Sequence, residues 1–308
     1  MGSTGIIKAL IAQSKKLCSG LLYKLMTLSS GLALAGCTSV STLFFYPQST
    51  LIATPKEAEL EYQDIWLQAG DGTKLHSWWI PAQGEESDSN IMLLYVHGNA
   101  ENISSHSRSI YWLPSNGISV LALDYRGFGA SEGKAQMPGM LQDLEAAAVW
   151  MKQQYPEKEL MILGQSIGTV MAINFAAQAA EKHDIKALVL DAPLRGFAPT
   201  ARYAMGKSVV GWFIWPFTPF IPSRWDPIKH IDKIDLPVLM MHSPEDQMVS
   251  YKQAKTLYTQ WKKIHPTQQL CWLDSKGPHI MSFAFSELRK ETLSFIASKQ
   301  CQPENPDA

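Results

Sequence analysis

Cysteine is scarce in this chain of 308 residues, which has four, Cys18, Cys37, Cys271 and Cys301. They stand too far apart for the closely spaced pairs that hold zinc, so the common metal-finger classes are excluded. An excess of one charge is also lacking. Lysine and arginine number 27 against 28 aspartates and glutamates, so no basic surplus draws the chain to nucleic acid. Internal repeats and low-complexity tracts are absent, which sets aside solenoids and polar tails. What is present suits a globular protein. Hydrophobic residues make up 46% and charged residues 18%, enough for one large α/β domain or two smaller ones. Tryptophan is abundant, and several of the ten cluster with other aromatics between Trp212 and Trp225.

Residues 1–36 are a different material. Lys8, Lys15, Lys16 and Lys24 precede the apolar run "LMTLSSGLALAGC", residues 25–37. A basic region, a short apolar segment and small residues read as an export signal, and the apolar core is too short for a comfortable membrane-spanning helix. The ending "LAGC" resembles the bacterial lipoprotein box. That resemblance implies cleavage before Cys37 and acyl chains on it, hence a membrane-held protein of the bacterial envelope. Ser39, rather than the aspartate of an inner-membrane retention signal, favours the outer membrane. An uncleaved anchor helix, or a signal cut elsewhere, remains the alternative. Met26 offers a second start that would shorten the basic region. Myristoylation does not fit, because Ile6 occupies the Ser/Thr position of that motif.

Residues 37–58 read as an irregular arm, with turn signals at Pro47 and Pro55 and an aromatic patch from Phe44 to Tyr46. The domain proper spans 59–308. "LEYQDIWLQA" and "KLHSWWIP" alternate in period two about the turn "AGDG", which predicts an antiparallel hairpin. "IMLLYVHG" is a near-continuous apolar run, as in a strand buried on both faces. Thereafter strands ("ISVLALDY", "LMILG", "IKALVLDA", "LPVLMMHS", "QQLCWLD") alternate with helical patterns, among them residues 166 to about 181, 251–263 and 281 to about 298. Such alternation predicts a mostly parallel twisted sheet with helices on both faces. The interval from about 194 to 235 is too long for a connection and too aromatic for disorder, and reads as a small cap insertion.

Open α/β sheets carry their sites at the carboxyl ends of strands. The polar groups there are His97 and Asn99 after "LLYV", Ser166 after "MILGQ", Glu245 and Asp246 after "VLMMHS", and His279 after "CWLD". Ser166 stands in Gly-Gln-Ser-Ile-Gly, where a strand hands over to a helix. A tight structural turn would also use these glycines. The order serine, acid, histidine decides between the readings.

With "HGNAENI" and "DYRGFGASEG", this arrangement resembles the α/β-hydrolase family, closest to its Bem46/ABHD13-like branch, over roughly residues 60–299. The resemblance implies an α/β-hydrolase fold and a serine hydrolase cleaving carboxylic esters through an acyl-enzyme, with no metal or organic cofactor. Ser166 would be the nucleophile, His279 its base and Asp246 the acid that orients the base. Backbone N–H groups of Ile167 and Asn99 would form the oxyanion hole. Asp191 and Glu245 remain alternative acids. Ser243 and Thr169 stand where the family often has glycine, and "GPHI" lacks the usual glycine pair. The other histidines, His97 and His242 included, read as packing or surface residues, with His97 bracing the oxyanion loop. The expected substrate is a small-molecule ester with an apolar acyl chain. Peptidase or thioesterase chemistry uses the same residues, and a binding scaffold without catalysis is the rival of another class. The aromatics from Phe197 to Trp225 are expected to form the cap's own core or an acyl pocket. In an oxidising envelope Cys271 and Cys301 either bridge or stay as thiols.

Overall fold

Apolar stretches bounded by turn residues form eight strands, β1 (Gln63–Gln68), β2 (Lys74–Ile80), β3 (Ile91–Val96), β4 (Ser119–Asp124), β5 (Glu159–Gln165), β6 (Ile185–Asp191), β7 (Val238–His242) and β8 (Leu270–Asp274). The computed structural model describes residues 44–83, 89–207, 212–213 and 215–301. Residues 1–43 lie outside it, and with them the expected export signal, Cys37 and the start of the expected arm. No helix among the described residues is long and apolar enough to cross a membrane.

One sheet holds all eight strands, in the order β1-β2-β4-β3-β5-β6-β7-β8. β2 pairs antiparallel with β1 and β4, and every other pairing is parallel. The hairpin between β1 and β2 turns on Gly72, whose φ of 89° belongs to the left-handed region that glycine enters freely. The parallel strands are joined through α1 (Gly139–Gln154), α2 (Gly168–Ala179), α3 (Phe197–Met205) and α4 (Tyr251–Ile264), and α5 (Ser286–Ser298) closes the chain. Two helix starts fall later than their sequence patterns suggest. Ser166 and Ile167 belong to the turn before α2, and a separate 3-10 turn, Ser282–Ala284, precedes α5.

The apolar runs have a direct physical reason. On β3, Met92, Leu94 and Val96 join the core on one sheet face while Leu93 and Tyr95 join the core on the other. β5 and β7 divide in the same way, with Ile162 against Met161 and Met240 against Met241. A strand covered on both faces has no water-facing side to mark with polar residues.

The interval from 194 to 235 folds as α3 followed by 3-10 turns at Trp215–Phe220, Pro227–Lys229 and Ile231–Lys233. Its aromatics divide. Phe197 is buried, Tyr203 and Trp225 are half-buried, and Trp212, Phe213, Trp215, Phe217 and Phe220 are exposed. Most of this aromatic run therefore forms neither the cap's core nor an enclosed pocket.

Cys271 on β8 and Cys301 after α5 are joined in a disulfide. The bridge spans 30 residues of sequence, so chain entropy alone assigns it about 3–4 kcal/mol. Reductant should lower Tm by about 10 °C for a domain of this size. Two thiols should titrate in denaturant only after reduction; two free thiols without it would contradict the bridge.

Candidate active site

The elbow after β5 is shaped by backbone crowding. Ser166 has a φ of 53°, a left-handed conformation rare for a residue with a Cβ and strained by about 1–3 kcal/mol. The surroundings hold it there. A Cβ on Gly168 would lie 2.1 Å from the Val96 carbonyl oxygen, and one on Gly164 would lie 2.9 Å from the Gly168 oxygen. Both positions admit only glycine, because α2 crosses directly over β3 and β5. Ser166 N–H donates to the Asp191 carbonyl (2.9 Å). Thr169 replaces a common glycine to some purpose. Its hydroxyl donates to the Ser166 carbonyl (2.6 Å) and accepts from Leu194 N–H, which fastens the elbow to the loop after β6.

The turn aims the Ser166 hydroxyl at the loops following β7 and β8. His279 Nε2 lies 2.8 Å from Ser166 Oγ, and His279 Nδ1 lies 2.7 Å from Asp246 Oδ2. Serine, histidine and acid thus form one hydrogen-bonded chain. The other oxygen of Asp246 accepts from Met248 N–H (2.7 Å) and Val249 N–H (2.9 Å). Burial opposes ionisation of Asp246, yet His279 and these two amides outweigh it and hold the carboxyl below its ordinary range. Asp191 is equally buried but turned away. It accepts from Gln165 Nε2 (2.9 Å) and Ser282 Oγ (2.6 Å), and burial pushes its carboxyl up. Glu245 is exposed.

Ser243, the second departure from family habit, joins the two loops. Its hydroxyl donates to the Gly277 carbonyl (2.6 Å) and accepts from Glu245 N–H, so the acid and histidine loops are tied at their roots. His242 is buried with Nε2 3.1 Å from the Val249 carbonyl and 3.4 Å from Asp246 Oδ2. Burial keeps this ring neutral by lowering its pKa. It supports the acid from behind, while its Nδ1 has no partner among the described residues.

The loop after β3 lies against the serine, since a Cβ on Gly98 would stand 3.6 Å from Ser166 Cβ. Neither Asn99 N–H nor Ile167 N–H has a hydrogen-bond partner among the described residues, so both can bind an incoming oxygen. The arm crosses the same loop. Tyr46 N–H donates to Asn99 Oδ1 (3.0 Å), and Asn102 Nδ2 donates to the carbonyls of Gln48 and Thr50. His97 is buried beneath, with Nδ1 2.7 Å from the Gly98 carbonyl and its ring stacked on Tyr125. In the "DYRGFGASEG" segment, Arg126 is clamped between Asp143 on α1 and Asp71 in the hairpin turn, which makes it a structural tie.

His106, read from the sequence only as a packing or surface histidine, braces the loop after β3. It follows no strand and carries no motif, yet its Nε2 lies 3.2 Å from the carbonyls of both Asn99 and Ala100. A ring nitrogen facing carbonyls must carry its proton. Burial, with repulsion from His97, pushes the His106 pKa from 6.5 down to about 4. Because the folded value is the lower one, folding favours the neutral ring. Its contribution is complete above about 6.5 and declines as pH falls from 6.5 towards 4. His106→Gln, whose amide can still donate to the loop, should flatten the loss of Tm across that window. Identical acid slopes for variant and parent would refute the assignment.

Among the described residues no three His, Cys, Asp or Glu side chains are grouped as ligands for a metal ion.

Comparisons with known proteins place the chain in a family. The sequence profile of the family described as serine aminopeptidase, S33, matches residues 87–225. Uncharacterized protein YfhR of Salmonella typhi is 31% identical over 255 residues, spanning 78% of this chain and 81% of that one. Protein bem46 of Schizosaccharomyces pombe is 29% identical over 254 residues, 74% and 80% of the two chains. Lysophosphatidylserine lipase ABHD12 of Danio rerio is 29% identical over 219 residues, 63% of this chain and 57% of the relative. Among solved structures, an esterase of Pyrococcus furiosus superposes with a TM-score of 0.69 at 24% identity, covering 83% of this chain and 98% of that one, a likeness of fold. An elbow serine on a strained turn, a strand order with one antiparallel hairpin at its edge, and a relative 31% identical over 78% of this chain lead to the same place: the chain belongs to the α/β-hydrolase family, in its Bem46-like branch, as a serine hydrolase.

Proposed function

We propose that the protein is a membrane-anchored esterase that cleaves carboxylic esters through an acyl-enzyme on Ser166. The observation that carries this reading is the unbroken chain Ser166 Oγ to His279 Nε2 to Asp246 Oδ2, at 2.8 and 2.7 Å. Ser166 Oγ attacks the ester carbon while His279 Nε2 takes the hydroxyl proton, and Asp246 stabilises the imidazolium. Ile167 and Asn99 N–H groups receive the carbonyl oxygen as it becomes anionic. His279 returns the proton to the leaving alcohol, and water repeats the sequence on the acyl-enzyme. A fluorophosphonate probe should label purified protein at Ser166. Folded but unlabelled protein would favour a binding scaffold instead.

An ester of a lipid with an apolar acyl chain is the proposed substrate class, supported by the zebrafish relative, which is named a lysophosphatidylserine lipase. The family description favours a second reading, cleavage of an aminoacyl bond. kcat/KM on acetyl to palmitoyl esters, set beside aminoacyl anilides, separates them: the ester reading requires esters to dominate and medium or long chains to exceed acetyl. Anchorage is proposed through acyl chains on Cys37, with the outer membrane as destination. Incorporation of labelled palmitate, abolished by Cys37→Ser, is the expected result; labelling that persists in the variant would overturn it.

A further inference from the structure

The cap turns outward the residues that a soluble protein normally hides. Trp212, Phe213, Trp215, Phe217 and Phe220 stand within nine residues of sequence and are 49–80% exposed, Phe220 and Phe213 most of all. Five aromatic side chains at that exposure present on the order of 600 Å² of apolar surface in one short segment. The outward pose is built. Thr218, buried in the same turn, donates to the Trp215 carbonyl (2.8 Å) and accepts from Arg202 Nε (2.6 Å), and Trp212 Nε1 donates to the Gly206 carbonyl (3.1 Å). These contacts fix the segment on which the rings stand exposed, with Trp212 tethered by its indole N–H and Trp215 lying 5.9 Å from the Arg202 guanidinium.

Charge and chain geometry identify what they face. Residues 195–229 carry Arg195, Arg202, Lys207, Arg224 and Lys229 against one acid, Asp226, which is buried, whereas the whole chain has a net charge of −1. Tryptophan and phenylalanine flanked on both sides by arginine and lysine match the interfacial layer of a bilayer with anionic lipid. The chain also arrives at this place. Phe44, the first described residue, packs on Phe197 at the start of α3 with ring centroids 5.0 Å apart. The chain from Cys37 to Phe44 can span at most about 25 Å. An acylated Cys37, or a retained apolar segment before it, therefore keeps the cap beside the membrane surface.

We propose that the aromatic face of the cap docks into the headgroup layer of a lipid bilayer. The chain-geometry argument rests on the proposed anchorage; the exposed rings and the local charge stand without it. Docked in this way, the membrane lies one helix away from the acid loop, because Tyr203 Oη on α3 donates to the Asp246 carbonyl (3.1 Å) and Lys207 Nζ donates to the Gln247 carbonyl.

The test uses the full chain with vesicles of phosphatidylethanolamine and phosphatidylglycerol, with bromine on the acyl chains near the headgroups to quench nearby tryptophan. Part of the tryptophan emission should be quenched. Trp212→Phe with Trp215→Phe should lose most of that quenching while the protein stays vesicle-bound. Trp66→Phe, removing an exposed tryptophan on edge strand β1, should leave it intact. Vesicle binding without quenching would refute the docking face and leave the anchor standing. Quenching that survives the double substitution would refute it equally. Self-association that depends on Phe213, Phe217 and Phe220, with no quenching by lipid, would assign the face to a second copy and overturn the proposal. Quenching in a chain that carries no acyl group would support the face independently of the anchor.

Discussion

Ser166→Ala and His279→Ala each lower turnover of a soluble p-nitrophenyl ester by about four to six orders of magnitude, with Tm close to the parent value, because members of such a triad act as one unit. The equality of the two losses is the informative part. Without Ser166 there is nothing to form the acyl-enzyme, and without His279 the hydroxyl keeps its proton, so the double variant should lose little more than either single one. Additive losses would mean that the two side chains act in separate steps. The Ser166 change removes only a hydroxyl from a turn whose shape is set by Gly164 and Gly168, so the fold should persist. Circular dichroism and thermal melting of the variants check that the effect is chemical.

Asp246→Asn should cost about four orders of magnitude, since an amide facing His279 Nδ1 favours the wrong tautomer. Asp191→Asn provides the contrast. Asp191 is as buried and as near a strand end, but its carboxylate serves Gln165 and Ser282. Losing one such bond to a carboxylate costs about 1.5–3 kcal/mol, or roughly a hundredfold at most if all of it reached the transition state. Measuring kcat for both variants at pH 8 distinguishes them. A severe Asp191 variant beside a mild Asp246 variant would reverse the assignment of the acid.

Much of this molecule was legible in one dimension, for reasons that are local. Alternating and continuous apolar runs marked the strands because burial on one face or two imposes those patterns at short range. The elbow was legible because a left-handed serine between two crowded positions requires glycine on both sides. Serine, acid and histidine could be placed in order because each follows a strand, and strand ends are where an open sheet exposes polar groups. Other decisions depend on contacts between distant residues and leave no periodic trace. Family spacing already favoured Asp246 over Asp191, but that its carboxylate meets a ring 33 residues beyond it is a contact only the fold makes. Ser243 and Thr169 read as departures from a pattern until their hydroxyls were seen joining loops. His106 has no motif at all, and only the packing of a helical turn against the loop after β3 brings its ring to the Asn99 carbonyl. The disulfide depends on the last strand and the tail after α5 lying side by side. Composition also misdirected one expectation. An aromatic-rich segment looks like core by hydropathy alone, and only the tertiary structure leaves Trp212 and Phe220 exposed, with Thr218 of the Trp215–Phe220 turn buried and held by Arg202 instead.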